Sequence, residues 1–414
     1  MRLLVKNIGC LVNTRTSESL LRGKALADLP TIKQAYLLID EGRIGGFGRM
    51  EELPALTETN IDIYDAEGAY VLPSWCDSHT HLVFAASREN EFVDKIQGKS
   101  YAEIAAAGGG ILNSANKVEQ CTEEELLDLA KNRLDEVIRL GTGAIEIKSG
   151  YGLTVESELK MLRVIRRLQK ESPIPIRSTF LGAHSFPLKY RNDQEGYIDL
   201  IIQEMLPIIE RERLADYIDV FCEEGFFSLD QSKRILAAGQ KAGLSVKMHA
   251  NQLSATGAVE LGVALGALSV DHLEVMSEAS IASLCGSSTI GTLLPTAAFF
   301  LRMPYQPARS LIDAGCAIAL ASDYNPGSSP SGNMNLVVAM SCIQMKMFPE
   351  EAINAATLNG AYAMELEKEV GSIMVGKRAN LVFTPPIPSL AYLPYSFGTN
   401  LVKKVMINGV WYKT

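Results

Sequence analysis

The chain has 414 residues, 47% hydrophobic and 21% charged, which suits one large domain with a substantial core plus a smaller one and excludes a disordered protein. A formal charge of -9 opposes nucleic acid and anionic membrane surfaces as partners, although a small anion met by a local cation stays compatible with it. Seven scattered cysteines without a C-x-x-C pair fit reduced thiols and a cytoplasmic protein.

Taken in chain order, residues 1–69 alternate short apolar runs with turns, and the segment from Met1 to Asn7 has no apolar stretch of the kind a secretory signal needs. From residue 70 onward short apolar runs alternate with helical periodicity, the pattern of repeated βα units and a parallel sheet. Eight runs are predicted as strands: Tyr70 to Cys76, Gly143 to Lys148, Ile176 to Leu181, Tyr217 to Cys222, Ser245 to Met248, Leu268 to Val270, Thr289 to Leu293 and Ala317 to Ala321. Helices are predicted between them at Glu123 to Arg139, Val155 to Lys170, Leu229 to Ala242 and Ala255 to Leu265. The count predicts an α/β fold, a (β/α)8 TIM-like barrel over 70–365, with a small β-sandwich-like domain composed of 1–69 and 366–414. No apolar stretch is long enough to cross a bilayer; the mildest, Gly257 to Val270, contains Glu260. The long first connection, Leu82 to about Gly141, holds Arg88 and a Gly108-Gly109-Gly110 stretch and reads as lid or pocket wall.

The polar motifs sit where the predicted strands end, the face on which such barrels build their sites. His79 and His81 in D-S-H-T-H are at i and i+2 of an extended segment, so both imidazoles point the same way and can reach one ion. His249 in K-M-H-A-N-Q supplies a third nitrogen, and Asp323 in A-S-D-Y-N-P-G-S-S-P a carboxylate that can ligate and accept a proton. Three imidazoles and one carboxylate suit zinc, and also iron or manganese. His272 in D-H-L-E reads as a group that polarises a carbonyl or handles a proton, with metal ligation as a second reading. A second ion would need a bridging acid, for which Glu223 is the available residue; the lack of a lysine there favours a single ion. Lys148 reads as structural or pocket-lining.

These motifs, with S-R-E-N-E-F, K-S-G-Y-G-L, L-G-A-H and D-V-F-C-E-E-G-F-F, resemble the amidohydrolase superfamily and, within it, the imidazolonepropionase family. The resemblance implies metal-dependent hydrolysis of the cyclic amide of 4-imidazolone-5-propanoate to N-formimidoyl-L-glutamate in histidine degradation. It implies one zinc or iron ion per subunit on His79, His81, His249 and Asp323, a substrate surrounded by Arg88, Tyr151, His184, Gln252, Asn325, Gly327 and Ser328, and a homodimer. Arg88 fits the propanoate carboxylate by a charge-assisted fork, and Tyr151 and His184 are expected to offer donors. Some relatives carry an acid at the position of Gln252, so Gln252 is expected to orient the substrate or a water. The alternative within the same scaffold is an amidohydrolase that deaminates a heterocyclic base.

Overall fold

Two eight-stranded sheets divide the chain between them. The structure, a computed structural model, describes residues 2–55, 61–99 and 109–413. The first sheet begins with β1 (Arg2–Val12), β2 (Thr31–Asp40), β3 (Arg43–Arg49), β4 (Asp62–Asp65) and β5 (Tyr70–Pro73). Between β2 and β3 the chain turns through Glu41 and Gly42, at φ 47 and 81, the left-handed pair that a two-residue hairpin requires and that glycine adopts without strain.

The second sheet is parallel throughout: β6 (Trp75–Asp77), β7 (Thr142–Lys148), β8 (Ile176–Ala183), β9 (Tyr217–Cys222), β10 (Ser245–Ala250), β11 (Ser269–His272), β12 (Ile290–Leu293) and β13 (Ile318–Leu320), paired in sequence order. Its open edges meet beyond the strand ends: Asp323 N donates to His79 O at 3.0 Å and His81 N to Tyr324 O at 2.9 Å. Ser322 N donates to Asp77 Oδ1 at 3.0 Å, so a side chain of the first strand completes the seam with the eighth. The result is a (β/α)8 barrel. Helices cover it by burying one apolar stripe each. Glu123–Arg139 buries Leu126, Leu127, Ala130, Leu134, Val137 and Ile138, and starts at a Thr122/Glu125 capping box.

The chain then returns to the first sheet as β14 (Leu381–Phe383), β15 (Lys404–Ile407) and β16 (Val410–Trp411), with β14 antiparallel to β5. Val5, Leu37 and Phe383 belong to the apolar core of that sheet. The predicted run Tyr70 to Cys76 is therefore two strands. Pro73 has no N–H to continue a ladder; Ser74 N still bonds Asn380 O, while Trp75 N bonds Gly141 O, so the chain changes sheets within two residues. In the first connection Arg88 precedes the helix Glu89–Ile96, and Gly110, at φ 80, opens the helix Ile111–Gln120. Gly108 of the predicted glycine stretch lies outside the described residues. No helix among the described residues is long and apolar enough to cross a membrane.

Candidate metal and active site

The barrel mouth gathers all five histidines and the acid that the sequence singles out, four of the histidines in two potential ligand groups. His79, His81 and His249 form one group and His79, His272 and Asp323 another, the ligating atoms within each group lying within 4.8 Å of one another. Asp323 Oδ1 stands 3.6 Å from both His79 Nε2 and His81 Nε2. His79 Nε2, His81 Nδ1 and His249 Nε2 are buried and have no hydrogen-bond partner. An unbonded buried nitrogen costs free energy unless something else takes its lone pair, so this donor set fits a cation. Burial, followed by neighbouring positive groups, drives the pKa of each of these three imidazoles well below its usual value. They are consequently neutral, the form that ligates metal.

Strand geometry alone does not aim them. His79 Nδ1 lies 2.6 Å from Asp271 Oδ2, which sets the tautomer that leaves Nε2 free, whereas His249 Nδ1 stands 2.9 Å from Asp219 Oδ2 without hydrogen-bond geometry. Beneath them Lys148 Nζ donates to Glu146 Oε1 at 2.6 Å and Asp219 Oδ2 at 2.8 Å, and stands 3.6 Å from Asp271 Oδ2. Lys247 Nζ closes the network on Glu146 and on Ser78 O. Burial opposes the charge on Lys148, yet Asp219 and Glu146 outweigh it and raise its pKa. The sequence reading left Lys148 as structural or pocket-lining and missed Glu146, Asp219, Lys247 and Asp271. Their signal was present: charged residues inside apolar strand runs, with Glu146 and Lys148, like Lys247 and His249, two apart and hence on one strand face.

The strands end abruptly here, with His272 at φ 90, Leu273 at φ 67 and Asp323 at φ 51, conformations that side chains resist and that packing must hold. Asp323 is held by Asn325 Nδ2 on its carbonyl at 2.7 Å and Ser328 Oγ on Oδ2 at 3.3 Å. Burial raises its carboxyl to about 6, the direction that a neighbouring cation reverses. For His272 burial lowers the pKa, but Glu274, 3.4 Å from Nδ1, outweighs it and the net shift is upward.

Above this cluster opens a cavity of about 390 Å³, lined by Arg88, Tyr151, His184, Gln252, Asn325, Gly327 and Ser328. A deeper chamber of about 50 Å³ shares Tyr151, His184, Gln252, Asn325 and Ser328 with it and reaches His81, His249, His272 and Asp323. Two details depart from the sequence reading, and a third bears on the bridging acid that the single-ion reading sets aside. Neutral His184, pushed down to about 4 by burial, must donate from Nδ1 to Gly150 O at 3.1 Å, which leaves Nε2 an acceptor and not a donor. Asn325 spends its amide inside its own turn, receiving Gly327 N and Ser328 N at 2.8 Å, so it shapes the loop that displays Ser328. Glu223 receives Leu253 N at 2.9 Å and the Ser254 hydroxyl, a tie for the loop carrying Gln252, and is absent from both metal-ligating groups found among the described residues.

Arg88 is 11% exposed and gives Nε and Nη2 to Glu91 Oε2 at 2.9 and 2.7 Å. A Cβ on Gly327 would come within 2.2 Å of Arg88 Nη1, so glycine there lets the guanidinium lie against the loop. The cavity also takes in Phe221 and Phe226 of the D-V-F-C-E-E-G-F-F motif, and Lys95, Leu301 and Met303, which no sequence motif marks.

The amidohydrolase family model matches residues 70–412. The imidazolonepropionase of Flavobacterium johnsoniae is 56% identical over 407 residues, 98% of each chain. That of Alkaliphilus metalliredigens is 41% identical over 409 residues, covering 98% of this chain and 96% of its own. Among solved structures, the guanine deaminase of E. coli superposes over 100% of this chain and 99% of its own with a TM-score of 0.74 at 15% identity, a likeness of fold. Near full-length identity of this order groups the chain with the imidazolonepropionases and does not favour the base-deaminating alternative. The chain belongs to the amidohydrolase family and, within it, to the imidazolonepropionases.

Proposed function

We propose that the protein hydrolyses the ring amide of 4-imidazolone-5-propanoate, adding water across the C–N bond to give N-formimidoyl-L-glutamate. The observation that carries this reading is the pairing of two chemistries in adjoining cavities with shared walls: a histidine and carboxylate cluster in one and an arginine lining the other. One zinc or iron ion per subunit would be held by His79, His81, His249 and Asp323. Such an ion supplies Lewis acidity, which makes water nucleophilic at neutral pH and polarises a carbonyl.

The chain's own groups do the rest. Asp323 takes the proton from water and delivers it to the departing ring nitrogen, and His272, whose imidazole Glu274 biases toward the protonated form, donates to the oxygen on which charge develops. The neutral Nε2 of His184 accepts a ring N–H, Tyr151, Gln252 and Ser328 orient the ring, and Arg88 takes the propanoate. Arg88→Ala should weaken binding by roughly 1.5 to 3 kcal/mol, the worth of a lost charged hydrogen bond, with kcat much less affected. Steady-state kinetics read this, and an unaltered KM would remove Arg88 from the binding role.

The direct test is incubation of metal-assayed protein with freshly made imidazolone propanoate, followed by mass spectrometry against a blank without enzyme. Formimidoylglutamate that disappears on chelation of the metal supports the proposal. Its absence with fully metallated protein, or release of ammonia without ring opening, overturns it.

A further inference from the structure

We propose that Lys95 is a second carboxylate-binding residue of this cavity, acting with Arg88 on the anionic side chain of the ligand; this rests on the reading above for the ligand's chemistry. Arg88 and Glu91 together carry no net charge, because both Nε and Nη2 of the guanidinium are spent on Glu91 Oε2. Glu91 is itself fixed, receiving Gly110 N at 3.0 Å and Asn113 Nδ2 at 3.3 Å on its other oxygen. This pair is well built for holding a carboxylate in register and poorly built for attracting one.

Lys95 lies four residues beyond Glu91 on the same helix, hence on the same face, and lines the same cavity. It is half-buried, and among the described residues no carboxylate lies within ion-pair distance of its ammonium. Its near neighbour is the Phe300 ring, 5.8 Å from Nζ, and the surrounding wall includes Ile111, Leu301 and Met303. A lysine ordinarily lays its stem on such a surface and carries its charge to water or to an acid. Lys95 instead brings a charge with no acid beside it among the described residues to the wall of a cavity that also holds Arg88. Burial, then the charge of Arg88, lowers the pKa of Lys95, a strain that an arriving carboxylate relieves. The demand for local charge is real. At physiological salt, screening over about 8 Å damps both the overall charge of -9 and distant cations, so the charges at the cavity itself decide whether an anion is drawn in.

The test compares wild type, Lys95→Met, which keeps most of the stem, and Lys95→Arg, by calorimetric titration with imidazole-4-propanoate and with its uncharged primary amide. We expect Lys95→Met to bind the acid roughly tenfold more weakly, to bind the amide like wild type, and to lose part of the salt dependence; Lys95→Arg should recover most of the affinity. A preference for acid over amide that is undiminished in Lys95→Met overturns the inference, as does an equal loss for both ligands, which would mean packing alone. Turnover of imidazolone propanoate by the same proteins separates the two readings. A Lys95-dependent preference for the acid in a wild type that opens no ring would leave the anion site standing and remove the proposed reaction.

Discussion

Asp323→Asn should lower kcat on the order of a thousandfold at equal metal content, because an amide keeps an oxygen for ligation but cannot take a proton. The native carboxylate is unusually well prepared for both tasks. Oδ1 faces two imidazole nitrogens at 3.6 Å, Oδ2 receives the Ser328 hydroxyl at 3.3 Å, and the left-handed backbone at φ 51 is pinned by Asn325. Asp323→Ala removes ligand and proton acceptor together, so it should lose metal as well as turnover. Measuring metal content and kcat on both variants separates the two roles. Retention of more than about a tenth of wild-type kcat by metallated Asp323→Asn would take proton transfer away from this residue.

Asp271→Asn should weaken metal binding by about 10- to 100-fold although the residue touches no metal in the arrangement proposed. Its carboxylate, 2.6 Å from His79 Nδ1, fixes the ring tautomer; an asparagine can present its NH2 group instead and turn the ring chemistry round. The same change leaves Lys148 one buried counter-charge poorer, 3.6 Å from the lost carboxylate oxygen. Breaking a buried charge network costs about 3 to 5 kcal/mol, so the metal-free variant should also melt at lower temperature. Competition with a chromogenic chelator reads the affinity and calorimetry the melting. Wild-type affinity in Asp271→Asn would show that packing alone aims His79.

What the sequence disclosed followed from periodicity and from the rarity of histidine. All eight predicted runs contribute to strands, since parallel barrel strands buried on both sides read as unbroken apolar runs. His79, His81, His249, His272 and Asp323 stood out because each closes such a run. The point where the chain passes from one sheet to the other did not, since Tyr70 to Cys76 reads as one short run broken only by Pro73 and Ser74, and the hydrogen bonds around Ser74 are needed to assign its halves to different sheets. The charged layer under the histidines was legible in principle, but the partners Glu146, Lys148, Asp219, Lys247 and Asp271 come from four different strands, and their pairing is set by barrel register. Lys95 was invisible for another reason. Nothing in the composition of its helix tells an unpaired lysine facing a cavity from a solvated one, and that distinction needs the position of Leu301 and Met303, far along the chain.

The seam between the first and eighth barrel strands has a consequence for how the molecule comes into being. Asp77 and Ser322, which bond across it, are 245 residues apart in sequence. Bringing such distant segments together is entropically costly and characteristic of slow folding. A nascent chain that has emerged only as far as Cys316 already holds every histidine, yet it lacks the carboxylate that completes the set. With the ligand set proposed above, full coordination requires that the ring of strands has shut, so capture of the ion would mark completed assembly.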